Sequence, residues 1–566
     1  MHDSGNSAAD PARPAPDALV DRHGGLLRRT ALVSGLTLAS RLLGFVREAL
    51  AAILFGAHSG VFDAFLTAWR IPNLFRRLLG EGALATSLQT AITEEDGSGG
   101  DRAGAALFRR VLHVTFWMLL VVCAATMLAI QHLPDEVLGF RPLGEPEGAA
   151  AVRELTVRLM PFVVLICLAA LVSGALNVRG YFRSSSFAPA AMNVVWIATL
   201  VAIGIGFGWR TDATGDDLVA RQIAMARALA WGVLLSGVAQ LAVQLPELAR
   251  SGLLTRGAHA AAGATRRARD VLFTAAPLAL GAAVYQVNVM VDGFMAEGLL
   301  SDGGPTALYF ANRIQQFPLA LVATAATAAV FPALKALGHR GRLAELRGMH
   351  DRTQLAVAFL ALPASAGLFA LATPIASACL EYGAFDAAGS ARVGDAMAVL
   401  AFGLFPAGAV GLVSRVYYAL GDFRHPVVVS LWMVVVNLVL NLLFTAVMGW
   451  DVAGLALGTT IAVWLQLALL LPGLRTRLEL PPPAAGRGRE LARTALCAVG
   501  SASLAFAVFV VVSRSLPSGW SGGWSSALAL VPAVGAALAG YAALAKGLRL
   551  EAWSDVEARV RGRLRR

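Results

Sequence analysis

The sequence is poor in charged residues and in cysteine. Only 15% of its 566 residues are Asp, Glu, Lys or Arg, whereas soluble globular proteins carry about 25%. The four cysteines all lie in apolar runs, and no Cys-x-x-Cys pair or Cys/His cluster is present, so neither a zinc site nor a disulfide framework is predicted. The sequence also lacks a Walker motif and a His-Glu-x-x-His motif, which gives no indication of ATP hydrolysis or zinc hydrolase chemistry.

Long apolar runs are abundant instead. The chain is 57% apolar, and its apolar residues form continuous runs of about 20 separated by short polar loops, a pattern typical of membrane-spanning helices rather than porin strands. The sequence therefore predicts an all-α polytopic membrane protein with about fourteen transmembrane helices. The predicted spans are 31–55, 62–92, 108–131, 155–178, 185–207, 219–246, 269–297, 305–336, 353–380, 392–418, 426–447, 452–472, 490–513 and 525–546.

The positive charge lies almost entirely on one side of this topology. With the N-terminus inside, the inner loops and tails hold 31 Lys and Arg, whereas the outer loops hold 5. Such a bias predicts that both termini are cytoplasmic. The net charge of +11 is thus explained by topology and by contacts with anionic membrane lipids, and no nucleic-acid partner is predicted.

Two polar stretches divide the chain. A basic stretch follows span six and a triple proline follows span twelve, which predicts two six-helix lobes around a central cavity plus a C-terminal helix pair, a plan typical of secondary transporters. The predicted segments are a disordered cytoplasmic tail 1–27, an N-terminal lobe 28–247, a basic linker 248–268, a C-terminal lobe 269–472, a Pro-rich linker 473–489, a terminal helix pair 490–546 and a basic tail 547–566.

Two arginines lie inside the first span, where each costs several kcal/mol or more. On a helical wheel centred on Gly44, Ser40, Arg41, Arg47 and Glu48 share one face, which predicts a polar stripe facing a cavity. The alternative is a helix–helix salt bridge through Glu48, but one carboxylate does not balance two guanidinium groups.

Spans two and eight add further cations. Arg76 and Arg77 follow Pro72, which kinks or breaks the helix and so leaves open which of the two faces a cavity. Arg313 lies in span eight next to Asn312. Since guanidinium groups suit phosphate, the pattern predicts a site for a diphosphate or polyanionic headgroup, formed by Arg41, Arg47, Arg76 or Arg77, and Arg313.

A second polar set lies in spans seven, eleven and twelve. It comprises Asp292 and Glu297, Asn437 and Asn441, and Thr459 and Thr460. Oxygen atoms of this kind on packed helices are suited to Na⁺, but hydrogen bonding between helices is the favoured alternative for the asparagines. Glu297, at the edge of span seven, is expected to be solvated.

Several motifs resemble the MurJ/MviN family of lipid II flippases, part of the MOP exporter superfamily. The resemblance covers about residues 28–546, and the first two spans are the most specific part. The matching stretches are SRLLGFVRE at 40–48, FGA at 55–57, DAF at 63–65, PNLFRRLLGEGA at 72–83, YFANRIQQFP at 309–318, YGAF at 382–385 and GDFRHP at 421–426.

The resemblance implies a function and assigns residues to it. It implies that the protein moves the undecaprenyl-diphosphate-linked peptidoglycan precursor from the cytoplasmic to the periplasmic leaflet of the bacterial inner membrane. The essential cavity arginines of the family match Arg41, Arg47, Arg76 and Arg313, its acidic positions match Glu48, Asp63 and Glu81, and its sodium site falls on Asp292, Asn437, Asn441 and Thr459. Asn312 replaces the usual Asp of the family, and Asn441 stands where a carboxylate can occur.

The expected mechanism is alternating access, with the lipid tail leaving through a portal between spans one and eight and lying against the terminal helix pair. No cofactor is expected, and either Na⁺ or the membrane potential is expected to drive the cycle. Cell-wall synthesis or division proteins are the expected partners. The alternatives are a polysaccharide-lipid flippase, a cation-coupled drug exporter and a non-transporting cell-wall scaffold.

Overall fold

The computed structural model describes residues 16–77, 83–132, 134, 146–209, 214–255, 264–320, 325–483, 485–517, 522–554 and 557. Over these ranges the chain is helical and contains no strand, as the sequence predicts. The predicted acidic residue Glu81, the first 15 residues and most of the basic tail lie outside the described residues.

Twenty helices are numbered here in chain order. They are α1 Pro16–Phe55, α2 Gly60–Phe75, α3 Ala83–Gly99, α4 Asp101–His132, α5 Pro146–Leu159, α6 Pro161–Val178, α7 Arg183–Phe207, α8 Gly215–Ala242, α9 Leu245–Arg250, α10 Ala264–Leu299, α11 Gly304–Leu319, α12 Ala325–His339, α13 Leu343–Ala370, α14 Ala372–Leu380, α15 Ala387–Ala401, α16 Leu404–Ala419, α17 Arg424–Asn441, α18 Val452–Thr476, α19 Arg487–Ser515 and α20 Gly522–Gly547.

Among the described residues, nine helical segments are long and apolar enough to cross a membrane, or ten if α15 and α16, bent by 43°, form one span. The protein is therefore a multi-pass membrane protein. Four predicted spans do not meet this criterion, and these four carry the arginines and carboxylates of the predicted polar sites. They are 31–55, 62–92, 269–297 and 305–336. Fourteen spans thus stay a prediction.

Helices α2 and α11 both end shortly after a proline. α2 ends at Phe75, three residues after Pro72, and α11 ends at Leu319, one residue after Pro318. A proline inside a helix removes a backbone hydrogen bond and clashes with the preceding turn. Each proline is followed by a short π-helical stretch, at residues 76–77 and at residue 320. The helical pattern of α2 thus changes within four residues of Pro72, which agrees with the disturbance predicted from the sequence.

Aromatic packing joins α1, α2 and α11 near one end of the bundle. The ring of Phe62 stacks on that of Phe55, with centroids 4.8 Å apart, and on that of Phe310, with centroids 6.3 Å apart. All three side chains are buried, and such pairs contribute about 0.5–1.5 kcal/mol each beyond the burial of their area. This packing fixes the helices that carry the polar residues described next.

Candidate functional site

A cavity of about 490 Å³ lies between α2, α10, α11, α16, α17 and α18. Its wall is mostly apolar, but α2 and α11 contribute the polar side chains of Asn73, Asn312, Gln315 and Gln316. Among the described residues, four arginines and one carboxylate line it, so that the wall carries an excess of positive charge. These residues are Arg70, Arg77, Arg313, Arg415 and Asp292.

Arg313 reaches from α11 towards α1. Its Nε lies 3.6 Å from Oε1 of Glu48, and the Tyr309 hydroxyl donates a 2.8 Å hydrogen bond to Oε2 of the same carboxylate. Glu48 is 5% exposed, and Arg47 also binds it. One buried carboxylate on α1 therefore holds two guanidinium groups, those of Arg47 and Arg313.

Arg47 does not line the cavity but lies behind Tyr309. Its Nη1 donates to Oδ1 of Asn193 at 3.1 Å, and its guanidinium carbon lies 4.4 Å from the centre of the Trp196 ring, a favourable cation–π geometry. Asn193 in turn donates to the backbone oxygen of Ser40 at 2.9 Å. The polar stripe predicted for α1 therefore faces α7 and α11.

Arg41 is exposed and does not line the cavity. The opposite face of α1 is also exposed, with Leu38 and Leu42 each 55% accessible, as expected for contact with lipid. The structure thus does not bring the four predicted arginines together in one cluster. Of that set, only Arg313 lines the large cavity together with Arg77.

The choice between Arg76 and Arg77, which the sequence left open, has a geometric answer. Arg77 lines the cavity, and its Nε is buried with no hydrogen-bond partner in the part of the chain that the structure describes. The Arg76 side chain instead donates from Nε and Nη2 to Oδ1 of Asn73, at 3.1 and 2.9 Å. The placement therefore favours Arg77 as the cavity cation, whereas the family resemblance favours Arg76.

Arg70 anchors a buried network that the sequence did not assign. Its Nη1 donates to the Thr67 hydroxyl at 2.9 Å and to the Gly293 carbonyl at 2.5 Å. Thr67 then donates to Oε2 of Glu297 at 2.9 Å. Glu297 is only 6% exposed, so the expectation that it is solvated was wrong. Glu297 lies at the end of an apolar run, and the sequence of that run gives no sign that Arg70 of α2 lies nearby.

The predicted sodium ligands converge on one carboxylate. Asn437 and Asn441 donate to Oδ1 of Asp292 at 2.5 and 2.7 Å, and Thr459 donates to Oδ2 at 3.2 Å. The predicted hydrogen bonds between helices are therefore formed. The Oδ1 atoms of both asparagines are nevertheless buried and have no hydrogen-bond partner among the described residues. Buried oxygens of this kind are suited to a hard cation.

Asp63 closes the bundle at the end where α11 begins. Its Oδ2 accepts from the backbone N–H of Gly303 at 2.7 Å, and its Oδ1 accepts from the N–H and the hydroxyl of Thr306 at 2.9 and 2.6 Å. A carboxylate at a helix N-terminus satisfies free N–H groups and opposes the helix dipole. Nearby, Ala384 donates to the Ile53 carbonyl at 3.0 Å, which adds a second contact at this end.

Arg415, on α16, is the cavity residue that sequence reasoning missed entirely. It lies four residues before the end of its helix, where an arginine in an apolar run is indistinguishable from one that extends to the membrane surface. Its Nη1 donates to the carbonyl of Gly411 in its own helix at 3.1 Å. The guanidinium is thus held at the cavity wall.

The helical bundle has the fold of solved structures from the MOP superfamily. A solved structure described as an inward-facing MATE family multidrug transporter of that superfamily superposes with a TM-score of 0.64, at 14% identity, over 78% of this chain and 98% of that one. A structure of "Lipid II flippase MurJ, inward closed conformation" superposes with a TM-score of 0.69, at 19% identity, over 92% and 99%.

Sequence comparison then identifies the family. The model of the family "Lipid II flippase MurJ" matches residues 51–529, and the chain belongs to this family. The "Lipid II flippase MurJ" of Burkholderia cenocepacia is 30% identical over 456 residues, which is 80% of this chain and 84% of that protein. The "Probable lipid II flippase MurJ" of Rhizobium meliloti is 28% identical over 528 residues, covering 92% and 94%. The family resemblance inferred from the sequence is confirmed.

Proposed function

We propose that this protein transports lipid II, the undecaprenyl-diphosphate-linked peptidoglycan precursor, from the cytoplasmic to the outer leaflet of the bacterial inner membrane. Membership of the MurJ family supports this function. The observation that carries it is the cavity wall, where four arginines face one carboxylate among the described residues. A cavity of this charge suits a diphosphate, whereas a cavity for cationic drugs requires excess negative charge.

The proposed topology has fourteen spans in two lobes and a terminal pair, with both termini cytoplasmic. Four charged segments add to the ten apolar spans, and the excess of Lys and Arg in alternate loops supports the orientation. The C-terminal pair, α19 and α20, exposes apolar side chains such as Val511 and Val531, 65% and 72% accessible. We propose that this surface accommodates the polyprenyl tail.

Alternating access follows from how the closed end is built. Asp63 holds α2 against the first turn of α11, which closes the outer end in this orientation. Rocking of the lobes breaks these hydrogen bonds and exposes the cavity to the outer leaflet. The diphosphate is then bound to Arg77 and Arg313 in the inward-facing state and released when the outer end opens.

Na⁺ is the proposed coupling ion, with the membrane potential as the alternative driving force. Asp292, Asn437, Asn441 and Thr459 would hold the ion through a carboxylate, two amide oxygens and a hydroxyl, and the orphaned oxygens of the two asparagines support this set. Bound Na⁺ would supply a positive charge that joins α10, α17 and α18. Its binding would thus favour one relative arrangement of these helices.

The test is transport by the purified full-length protein in liposomes. Fluorescent lipid II is placed in both leaflets, and the outward-facing fraction is measured with a membrane-impermeant quencher. The expected result is transfer that is lost in the double variant Arg77→Ala/Arg313→Ala. A cationic drug and an undecaprenyl-linked O-antigen unit serve as competing substrates. Transfer of either of these, with none of lipid II, would assign the protein to one of the rival functions.

A further inference from the structure

Arg415 differs from Arg313 and Arg70, two of the other cavity arginines, in its partners. Arg313 pairs with Glu48, and Arg70 is held by Gly293 and Thr67. Arg415 donates only within its own helix, to the Gly411 carbonyl, and no ion pair of its side chain is found in the part of the chain that the structure describes. Its charge is therefore not balanced by a neighbouring carboxylate of the described residues.

The cavity that Arg415 lines also contains neutral polar side chains, which add no negative charge. Ser414, which precedes Arg415 in α16, lines the cavity, as do Ser430 and Gln466. The Nε2 of Gln466 donates to the Ser430 hydroxyl at 2.8 Å, and this hydroxyl donates to the Pro426 carbonyl, also at 2.8 Å. A guanidinium in a cavity that also presents hydroxyl and amide groups is suited to a small anion that accepts neutral hydrogen bonds as well.

Arg415 lies towards the opposite end of the bundle from Asp63. α11 begins at the closed end, and Arg313 follows nine residues later. α15 and α16 form the bent pair that also starts near this end, and α16 ends four residues after Arg415. At 1.5 Å per residue in a span of about 30 Å, the two positions are roughly 10 Å apart along the span. The two guanidinium groups can therefore engage different anionic groups of one ligand.

We propose that Arg415, with Ser414, Ser430 and Gln466, forms a second anion-binding subsite that takes a carboxylate of the peptide part of the substrate. The inference rests on the proposed function, since the lipid II headgroup carries peptide carboxylates in addition to its diphosphate. Arg77 and Arg313 hold the diphosphate nearer the closed end. The planar fork of Arg415 matches a carboxylate in a bidentate geometry.

The test compares three ligands on the full-length protein in nanodiscs. These are lipid II with free peptide carboxylates, lipid II with those carboxylates amidated, and undecaprenyl diphosphate without a headgroup. Arg415→Gln is expected to weaken binding of the free-carboxylate lipid about tenfold, to change binding of the other two less than twofold, and to leave the thermal unfolding temperature unchanged. Arg415→Lys is expected to restore part of the loss. Arg352→Gln is the charge-matched control, since Arg352 is exposed on α13.

The outcomes separate the subsite from the proposed function. Equal weakening of all three ligands overturns the assignment to a carboxylate and places Arg415 on the diphosphate. Unchanged binding of all three overturns the subsite altogether. Failure of the unmodified protein to bind either form of lipid II refutes the proposed function itself, independently of any Arg415 variant.

Discussion

The carboxylate of Asp63 caps α11 by accepting hydrogen bonds from the backbone N–H of Thr306 at 2.9 Å and from its hydroxyl at 2.6 Å. The two residues are 243 positions apart in sequence and lie on different helices of the bundle. Asp63 is fully buried, so the contact is shielded from water. A single side chain thus holds α2 and α11 together at one end.

Asp63→Asn should weaken this closure, because the amide keeps one acceptor oxygen but loses the charge that opposes the α11 dipole. Loss of a cap costs about 0.5–2 kcal/mol. We expect a measurable shift towards the state open at this end, detected as longer electron-spin distances between labels at positions 217 and 388. Asp216→Asn, in the exposed first turn of α8, is the matched control. An unchanged distance distribution would refute a gating role for Asp63.

Arg47→Ala should abolish complementation of a flippase-depleted strain at normal protein level. Without Arg47, Glu48 keeps Arg313 as its one charge partner among the described residues, and Asn193 loses a donor. Membrane abundance is measured by immunoblot and growth by plating. Arg342→Ala serves as the control, because its ion pair with Glu345 is exposed. Normal growth of the Arg47 variant would show that this network is dispensable.

Arg77→Ala and Arg76→Ala form a matched pair of adjacent charge removals. Arg77 lines the cavity, whereas Arg76 is bound to Asn73 of its own helix. We therefore expect the Arg77 variant to lower the rate of lipid II transfer in liposomes at least tenfold and the Arg76 variant by less than threefold. The reverse order would favour the assignment implied by the family resemblance.

Asp292→Asn should remove any stabilisation by Na⁺. If the ion binds the folded protein, the melting temperature rises with Na⁺ concentration, following the mass-action relation for a ligand of the native state. Thermal unfolding is measured in NaCl and in KCl at equal ionic strength. A rise in NaCl alone that is absent in the variant supports the site. Identical curves for the unmodified protein in the two salts would exclude it.

Gly458→Ala should destabilise the packing of α17 on α18, because a Cβ at this position would overlap Oδ1 of Asn441. Overpacking of this kind typically costs about 1–3 kcal/mol. Gly454 is less crowded, with its nearest atom at 3.1 Å, so Gly454→Ala should cost less. Gly535→Ala, where no atom lies within 4 Å, should leave the unfolding temperature unchanged or raise it.

Helical periodicity and hydropathy predicted those features that depend on the sequence of a single helix. The polar stripe of α1 was predicted from the 100° spacing of Ser40, Arg41, Arg47 and Glu48. Ser40, Arg47 and Glu48 face α7 and α11, whereas Arg41 is exposed. The change of helical pattern shortly after Pro72 follows from local backbone chemistry. The grouping of the two asparagines with Asp292 was implied by the family resemblance and not by periodicity.

Contacts between distant segments were not predictable from periodicity. Glu48 pairs with Arg313, 265 residues away, as well as with its neighbour Arg47. Glu297 is buried against α2, where Thr67 donates to its carboxylate and Arg70 donates to Thr67. Arg415 was missed for a different reason. One charged residue near the end of an apolar run has the same sequence pattern whether it faces lipid headgroups or a cavity.

The four charged spans have a consequence for how the chain enters the membrane. Segments with several charges gain little free energy on transfer to lipid by themselves, and Glu48 of α1 finds Arg313 of α11 only after 265 more residues have been made. At about 5–20 residues per second this takes roughly 13–50 s. During that interval the charge of Glu48 is balanced by Arg47 alone of its two charge partners, and Arg47 then gains contacts with Asn193 and Trp196 of α7. The N-terminal helices therefore assemble before the second ion pair of Glu48, with Arg313, can form.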